Sequence, residues 1–530
     1  MSAQIDRFVN ERLPNRKTWP VMDIPACYQD GKPLNCVYAL LDQHIESGYG
    51  SRPALISNDI KWSYKELSDI VDQITAVLIH DFGIVPGNRV LIRGPNSPTV
   101  VATWLATQKC GAVAVTTMTL LKSAELSTII ELSAPSVAVC DIGYIDELTI
   151  ASDSTSSLSI VTYNGINGDL ESRMQRHPAG ISTCPTLSND ISLIGFTSGT
   201  TGKPKATIHF HRDVLAVCET VGQKIIKPAR EDVFIGTSPL AFTFGLGGLV
   251  FFPLYAGAAS VLNGRYSADQ LLEGIERFKA TVCFTVPTFY QRMTPLIDSY
   301  DTTSLRMTVS SGEALAVSVR EAWKTASSIE MTELLGSTEM LHAFIGSTDR
   351  DARTGAIGRA IPGYSAAIIN ADGEELPDGE IGWLAVRGPT GCRYLADSRQ
   401  GDYVRFGWNI TGDACSMDSD GYVYYHTRVD DMIISSGYNI SGIEVENVLL
   451  EHPQIVECAV IGCPDAERGQ VVTAFVVPRC KPDNPSSFIE MIQTFVKEQI
   501  ASYKYPRQVV LCSELPRNES GKLQRFRLRI

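Results

Sequence analysis

The sequence predicts an α/β protein with a large N-terminal domain of mixed and parallel sheets with flanking helices, followed by a small α+β domain. At 530 residues the chain exceeds what one hydrophobic core usually supports, so at least two domains are expected. Apolar strand-like segments at 89–94, 112–117 and 136–140 alternate with helical patterns at 97–110 and 122–133. Strands separated by helices of this length indicate βαβ units on a mostly parallel sheet.

The pattern changes towards the C-terminus. Strand-like segments return at 191–196 and 280–287, whereas the glycine-rich stretch 372–389 is typical of antiparallel hairpins. Roughly the last hundred residues combine strands and helices in a compact α+β pattern. We therefore expect domains at 1–429 and 430–530.

Composition excludes several classes of partner. The net charge is −13, and no run of Lys or Arg is long enough to form a nucleic-acid-binding surface. The thirteen cysteines are scattered without zinc-site spacing, which predicts reduced thiols in a cytoplasmic protein. The first residues lack the apolar core of a signal peptide.

One long stretch, 237–264, carries no charged residue and raises the question of a membrane segment. Pro239, Pro253 and five glycines interrupt it. Because a membrane span must satisfy its backbone polar groups internally, this composition favours a buried region of helix and strand and no membrane partner.

The segment Phe196–His211, "FTSGTTGKPKATIHFH", places glycines, hydroxyls and two lysines after a predicted strand. A Walker A motif fails because Thr197 stands where glycine is required, and a GxSxG nucleophile turn fails at the same residue. A phosphate cradle remains, since the glycines let backbone N–H groups converge while hydroxyls and Lys205 add donors and charge. An ordinary mobile hairpin loop is the open alternative.

The loop "FTSGTTGKPKA" resembles the signature loop of the adenylate-forming, or AMP-binding, superfamily of acyl-CoA synthetases, adenylation domains and luciferases. Four further segments resemble that family in order, at 334–340, 408–415, 427–440 and 515–526. The resemblance implies nucleotide contacts from Thr197, Ser198, Gly199, Thr200, Thr201, Gly202, Lys205, Glu313, Glu333, Thr338, Asp413, Arg428 and Lys522.

The resemblance also implies specific roles. Thr338 would bind the α-phosphate, and Glu339 would hold Mg²⁺, a hard cation that prefers oxygen ligands. Asp413 would accept both ribose hydroxyls, because a carboxylate offers two acceptor oxygens. Arg428 would approach the ribose or phosphate, and Lys522 would bridge the substrate carboxylate and the α-phosphate. Read singly, these residues also suit a helix cap, a turn and solvated surface positions.

The implied reaction has two steps. An acid attacks ATP to give an acyl-adenylate and pyrophosphate, and the thiol of CoA then displaces AMP. The resemblance places a hinge at Asp430 for rotation of the C-terminal domain, and Ser436 and Gly437 in the CoA tunnel. The chain departs mildly from the family at Asn518 and Ser520, where Thr is more frequent.

Phe244, Ser311, Gly336 and His342 are the expected walls of the acyl pocket. Bulky walls imply a short planar acid. Gly336 is expected to let a flat ring approach, and His342 to share a helix face with Glu339. These segments resemble benzoate-type and especially 2-aminobenzoate (anthranilate) CoA ligases, and Ser311 could accept a hydrogen bond from an ortho amino group. Alternatively, Ser311 bonds local backbone and His342 is a satisfied core histidine.

Other interpretations stay open. The enzyme could load a carrier protein's phosphopantetheine, act on another small acid, or be a nucleotide-binding regulator without catalysis. It could be a monomer or a homodimer. His209 and His211 are predicted to share one strand face, which suggests a metal site, but no third ligand is evident and a structural role is expected.

Overall fold

The computed structural model describes residues 2–153, 158–165, 169–197, 204–348, 350–435, 438–465, 468–500, 502–517 and 523–529. Four sheets and their helices make up this part of the chain. In chain order the strands are β1 (Pro53–Ile56), β2 (Lys61–Ser63), β3 (Arg89–Arg93), β4 (Val113–Thr117), β5 (Val137–Asp141), β6 (Ser159–Tyr163), β7 (Ile191–Thr197), β8 (Lys205–Phe210), β9 (Val233–Gly236), β10 (Ala259–Val261), β11 (Val282–Thr285), β12 (Met307–Ser310), β13 (Met331–Gly336), β14 (Ala343–Gly346), β15 (Arg359–Ala360), β16 (Ser365–Ile369), β17 (Gly382–Arg387), β18 (Val404–Arg405), β19 (Trp408–Met417), β20 (Val423–Arg428), β21 (Ile433–Ser435), β22 (Tyr438–Ile440), β23 (Ile455–Asp465), β24 (Gly469–Pro478) and β25 (Gln508–Leu511).

Helices of the described residues cover the sheets. They are α1 (Gln43–Glu46), α2 (Tyr64–Ala76), α3 (Pro98–Lys109), α4 (Ser123–Ser133), α5 (Ile145–Ser152), α6 (Asp169–Met174), α7 (His211–Val217), α8 (Thr243–Leu246), α9 (Phe252–Ala256), α10 (Ala268–Phe278), α11 (Pro287–Met293), α12 (Val317–Ser327), α13 (Gln400–Tyr403), α14 (Gly442–Glu451) and α15 (Pro485–Gln499).

The first sheet confirms the predicted βαβ units. Its order is β6-β5-β3-β4-β7-β8, and every pair is parallel except β7 with β8. Helix α3 begins where Ser97 accepts a hydrogen bond from Val100 N, with Pro98 in its first turn. Nearly all of α3 is buried, because its apolar residues lie on every face.

The second sheet runs β15-β14-β13-β12-β11-β9-β10-β1-β2, with a parallel centre from β13 to β1. Parallel strands end at one edge of a sheet, and ligands bind beyond those carboxyl ends in α/β folds. The loops that follow β9, β12 and β13 therefore meet at one edge.

The uncharged stretch 237–264 forms α8, a π-helical segment Gly247–Phe251, α9 and the buried strand β10. This confirms the predicted buried region of helix and strand. Among the described residues, no helix has the length and apolar character needed to cross a membrane.

The last two sheets are largely antiparallel. The third, β16-β17-β19-β18 with β20 beside β19, contains the predicted hairpins. The fourth, β22-β21-β24-β23 with β25 beside β24, packs with α14 and α15 around a separate apolar core that includes Ile433, Leu449 and Ile492. A small α+β unit therefore forms near the C-terminus, and its exact boundary at 429/430 stays a prediction.

Candidate active site

A cavity of about 1180 Å³ lies between the edges of the large sheets and the C-terminal α+β unit. The predicted site residues that line it are Thr197, Lys205, Phe244, Ser311, Glu313, Glu333, Gly336, Thr338, Glu339, His342, Asp413 and Arg428. Residues far apart in sequence thus share one cavity, which is large enough for a nucleotide together with a small acid.

Several predicted residues cannot be placed. Asp430 lies in the short 3-10 helix Val429–Asp431, and only its backbone is described. Outside the described residues are Ser198, Gly199, Thr200, Thr201, Gly202, Ser436, Gly437 and Lys522. The roles of these residues stay predictions.

The segment 336–342 makes a sharp turn at the cavity wall. Ser337 caps the 3-10 turn Thr338–Met340, because its hydroxyl accepts from Met340 N at 3.3 Å. Leu341 has a φ of +67°, which reverses the chain into β14. His342 therefore lies beyond the turn, and the prediction that it shares a helix face with Glu339 is wrong.

Glu339 is buried, with 8% of its surface exposed. Tyr394 donates a hydrogen bond of 2.6 Å to its Oε1. Glu339 and Thr338 offer oxygen atoms to the cavity, and no group of three or more His, Cys, Asp or Glu suited to a metal occurs among the described residues. A single protein carboxylate leaves the remaining coordination positions to phosphates and water. Mg²⁺ is usually bound in this way, so these residues fit it.

Gly336 is required by the backbone of its neighbours. A Cβ there would lie 2.6 Å from the carbonyl oxygen of His342 and 2.7 Å from the Cα of Ala343. The glycine therefore permits β13 to approach β14 at an irregular pairing, and its role in admitting a flat ring stays a prediction.

Asp413 and Arg428 face each other on the antiparallel strands β19 and β20. Arg428 Nη1 donates to Asp413 Oδ1 and to the carbonyl oxygen of Thr411, each at 2.8 Å. Gly412 has a φ of +77°, and a Cβ there would lie 2.5 Å from the guanidinium. The strand geometry thus fixes a carboxylate and a guanidinium side by side at the cavity wall.

Two further carboxylates pair with arginines. Glu313 accepts from Arg517 at 3.1 Å, which joins the large domain to the C-terminal unit, and Arg517 also contacts Glu457 at 3.3 Å. Glu333 accepts from Arg320 at 2.9 Å. Burial raises the pKa of Glu333 to about 7, although Arg320 acts in the opposite direction.

This shift predicts a pH dependence of stability. Because the folded-state pKa exceeds the ordinary value of 4.5, stability is greatest below that value and falls as the pH rises through about 7. Glu333→Gln should reduce this pH-dependent loss in the free energy of unfolding by up to about 3 kcal/mol. Thermal unfolding at about pH 5 and about pH 8 measures it. Glu330→Gln is the matched control, since Glu330 also contacts Arg320. An unchanged pH dependence in Glu333→Gln would contradict the assignment.

One end of the cavity is aromatic. The rings of Phe244 and His342 lie 5.7 Å apart, and Phe252 packs edge-on against His342 at 4.8 Å. A Cβ on Gly247 would lie 2.2 Å from the imidazole, so this wall is filled. Burial lowers the pKa of His342 to about 3, which makes the ring neutral at physiological pH. Neither ring nitrogen makes a well-formed hydrogen bond among the described residues, although the nearby backbone of Phe244 opposes the effect of burial and raises the pKa.

His209 and His211 do not share a strand face, so that prediction is wrong. His209 lies near the C-terminal end of β8, and its Nε2 donates to the carbonyl oxygen of Thr338 at 2.7 Å. His211 is the first residue of α7, and its Nδ1 accepts from Cys36 N at 3.3 Å. The two imidazoles therefore contact separate partners.

The motifs do not indicate Tyr394, Tyr403 or Tyr425. Tyr403 and Tyr425 line the cavity, and Tyr394 contacts Glu339. Tyr394 and Tyr403 lie between recognisable segments, and only tertiary pairing brings them to the site. Arg517 lies inside the 515–526 segment, so its position five residues before Lys522 was a usable signal.

Comparison with known proteins identifies the family. The sequence model of the AMP-binding enzyme family matches residues 42–394, and that of the AMP-binding enzyme C-terminal domain matches residues 444–522. The chain belongs to the AMP-binding enzyme family. The fold and the cavity agree with this assignment, and the resemblance found in the sequence is confirmed.

Similar proteins of this family include CoA ligases. The chain is 29% identical to a benzoate–CoA ligase of Thauera aromatica over 97% of this chain and 98% of that protein. It is 31% identical to the human mitochondrial acyl-coenzyme A synthetase ACSM3 over 89% of this chain and 83% of that protein. The crystal structure of the anthranilate CoA ligase AuaEII with anthranoyl-AMP has a TM-score of 0.89, with 30% identity over 94% of this chain and 96% of that one.

This AMP-binding enzyme is therefore an AMP-forming acid–thiol ligase of the acyl- and aryl-CoA ligase branch. Its substrates are an acid, ATP and CoA.

Proposed function

We propose that the acid is a small aromatic carboxylate, with 2-aminobenzoate as the first candidate and benzoate as the second. The observation that carries this proposal is the neutral, buried His342 beside Phe244 at the filled end of the cavity, whose ring nitrogens make no well-formed hydrogen bond among the described residues. The similarity to benzoate and anthranilate CoA ligases supports it.

The shape of this end favours a ring over an alkyl chain. Phe244 and His342 line it, and two further rings pack behind them: Phe252 lies 4.8 Å from His342 and Phe284 lies 5.5 Å from Phe244, centroid to centroid. A Cβ on Gly248 would lie 2.4 Å from Phe284, so the layer behind these rings is tightly packed. A flat ring stacks well against such walls.

His342 favours a polar ring substituent. A buried polar group without a partner costs about 1–3 kcal/mol. A neutral imidazole has one N–H donor and one acceptor nitrogen, so an amino or hydroxyl substituent could satisfy it. Ser311 also lines the cavity and is nearly buried, and its hydroxyl is the second candidate partner for an ortho amino group.

In the first step two anions must approach each other, so positioning and charge neutralisation dominate catalysis. Thr338 and Lys205 line the cavity where they can contact the α-phosphate and the departing pyrophosphate. Glu339 would hold Mg²⁺, whose charge would neutralise the phosphates. Asp413 orients the nucleotide through both ribose hydroxyls, with Arg428 alongside.

We assign Lys522 as the cation that bridges the acid and the α-phosphate. Arg517 and Leu523, on either side of the segment that carries it, both line the cavity. Rotation at Asp430 would withdraw Lys522 and bring the segment of Ser436 and Gly437, between β21 and β22, to the thiol path. The acceptor is CoA in the cytoplasm.

Pyrophosphate exchange with 2-aminobenzoate, 2-hydroxybenzoate, benzoate and hexanoate tests the acid. We expect 2-aminobenzoate to have the highest kcat/KM, by about tenfold over benzoate. His342→Phe should remove that preference while preserving activity with benzoate, because only the polar contact is lost. Fastest turnover of hexanoate would overturn the aromatic proposal, and an unchanged preference in His342→Phe would overturn the role of His342.

Offering CoA and a purified phosphopantetheinylated carrier protein in parallel tests the acceptor. Aryl-CoA should form efficiently. Faster transfer to the carrier protein would mean that the carrier protein, and not CoA, is the acceptor.

A further inference from the structure

Two tyrosines hold the turn that carries Glu339. Tyr394 donates to Glu339 Oε1 at 2.6 Å, and the hydroxyl of Tyr403 lies 3.0 Å from the Oγ of Ser337. Their rings meet edge-on with centroids 5.9 Å apart. Tyr394 is fully buried and Tyr403 nearly so, which makes them a rigid support beneath the turn.

We propose that Tyr394 is a positioning residue that sets Glu339 for a divalent cation by occupying one oxygen of its carboxylate. The other oxygen would then be left for a cation bound with ATP. This inference rests on the proposed role of Glu339 in holding the metal.

The position of Tyr394 is itself fixed from the phosphate-binding side. Its backbone forms an antiparallel bridge with Thr207 in β8, and Leu395 N donates to the carbonyl oxygen of Ala206 at 2.8 Å. Lys205 begins β8, and its ammonium lies 5.1 Å from the centre of the Tyr394 ring. Tyr394 therefore connects the strand after the phosphate loop to the carboxylate of Glu339.

A second contact fixes the backbone. Tyr394 N donates to Gln400 Oε1 at 2.9 Å, and the amide nitrogen of Gln400 donates to the carbonyl oxygens of Thr18 and Cys392. The glutamine is itself buried. Because Tyr394 is held at both its backbone and its ring, its hydroxyl has little freedom to follow a displaced carboxylate.

The chemistry suits this task. A phenol O–H can donate one hydrogen bond to a carboxylate oxygen and leaves the other oxygen of that carboxylate available. A hydrogen bond from O–H to a carboxylate is short and stronger than one between neutral groups. Supporting contacts of this kind orient metal ligands, and their removal typically costs about 10–100-fold in metal affinity or activity.

Tyr394→Phe tests the proposal, with Tyr64→Phe as the matched control. Tyr64 is also fully buried, but its hydroxyl donates to the carbonyl oxygen of Ala258 at 2.7 Å and not to Glu339. Calorimetry should show ATP with Mg²⁺ binding about tenfold more weakly to Tyr394→Phe, and ATP in excess EDTA binding as in the wild type. Tyr64→Phe should change neither affinity.

Glu339→Gln separates this inference from the function it rests on. If Glu339→Gln weakens ATP binding only when Mg²⁺ is present and Tyr394→Phe does not, the inference about Tyr394 is wrong and the metal role of Glu339 stands. If Glu339→Gln leaves the Mg²⁺ dependence unchanged, both are overturned. In the double variant the effect of Tyr394→Phe should vanish, and a persisting effect would assign Tyr394 a merely structural role.

Discussion

Lys522→Ala should slow acyl-adenylate formation by about two orders of magnitude or more, because one donor to the charge that develops in a transition state is typically worth ~3 kcal/mol. The same variant should still convert a supplied acyl-adenylate to the CoA thioester. In the second step the thiol of CoA attacks the neutral carbonyl carbon of the acyl-adenylate, and AMP departs. No second anion has to approach the α-phosphate in that step.

The contacts between the two parts of the chain support this expectation. Arg517 reaches Glu313 in the large domain at 3.1 Å, and Gln291 donates to the carbonyl oxygen of Val456 at 3.3 Å. Arg517 and Leu523, which flank the segment that carries Lys522 in the sequence, both line the cavity.

Pyrophosphate exchange measures the first half-reaction, and thioester formation from synthetic aryl-adenylate measures the second. Lys481→Ala is the matched control, because Lys481 is exposed in the same C-terminal unit and does not line the cavity. Equal loss of both half-reactions would contradict a lysine that acts only in the first. Release of ADP in place of AMP would contradict the reaction itself.

Local sequence patterns were sufficient to predict the strands that frame the site. The apolar segments at β3, β4 and β5 have the length and composition of buried parallel strands, and the chain folds as they predict. The order of the motifs was sufficient to predict residues that line the cavity. Glu333, Asp413 and Arg428 lie at strand ends or on paired strands that the fold brings together.

The side-chain environment could not be predicted in the same way. His342 leaves the expected helix face because Leu341 adopts a positive φ, a conformation that is rare outside glycine, asparagine and aspartate. Gly336 is required by the backbone of the neighbouring strand β14. Tyr394 reaches Glu339 only through its pairing with Thr207 in β8, which lies far earlier in the sequence. Such long-range pairings carry no local sequence pattern.

Asp413→Ala should reduce kcat/KM for ATP by about 100-fold or more, since each hydrogen bond from a ribose hydroxyl to a charged acceptor is worth about 1.5–3 kcal/mol. The variant also removes one of the partners of Arg428, which Asp413 contacts at 2.8 Å. Arg428 is partly exposed, so water can replace part of that contact, and most of the loss should appear in nucleotide binding.

Deoxynucleotides distinguish the ribose contact from a general disturbance. Wild-type enzyme should discriminate against 2′-deoxy-ATP and 3′-deoxy-ATP, whereas Asp413→Ala should treat them almost like ATP, because the acceptor of both hydroxyls is gone. Asp402→Asn is the control, since Asp402 is another carboxylate of the cavity wall and is exposed. If Asp413→Ala retained full discrimination, the ribose would be held elsewhere, and the carboxylate would serve only to orient the Arg428 guanidinium.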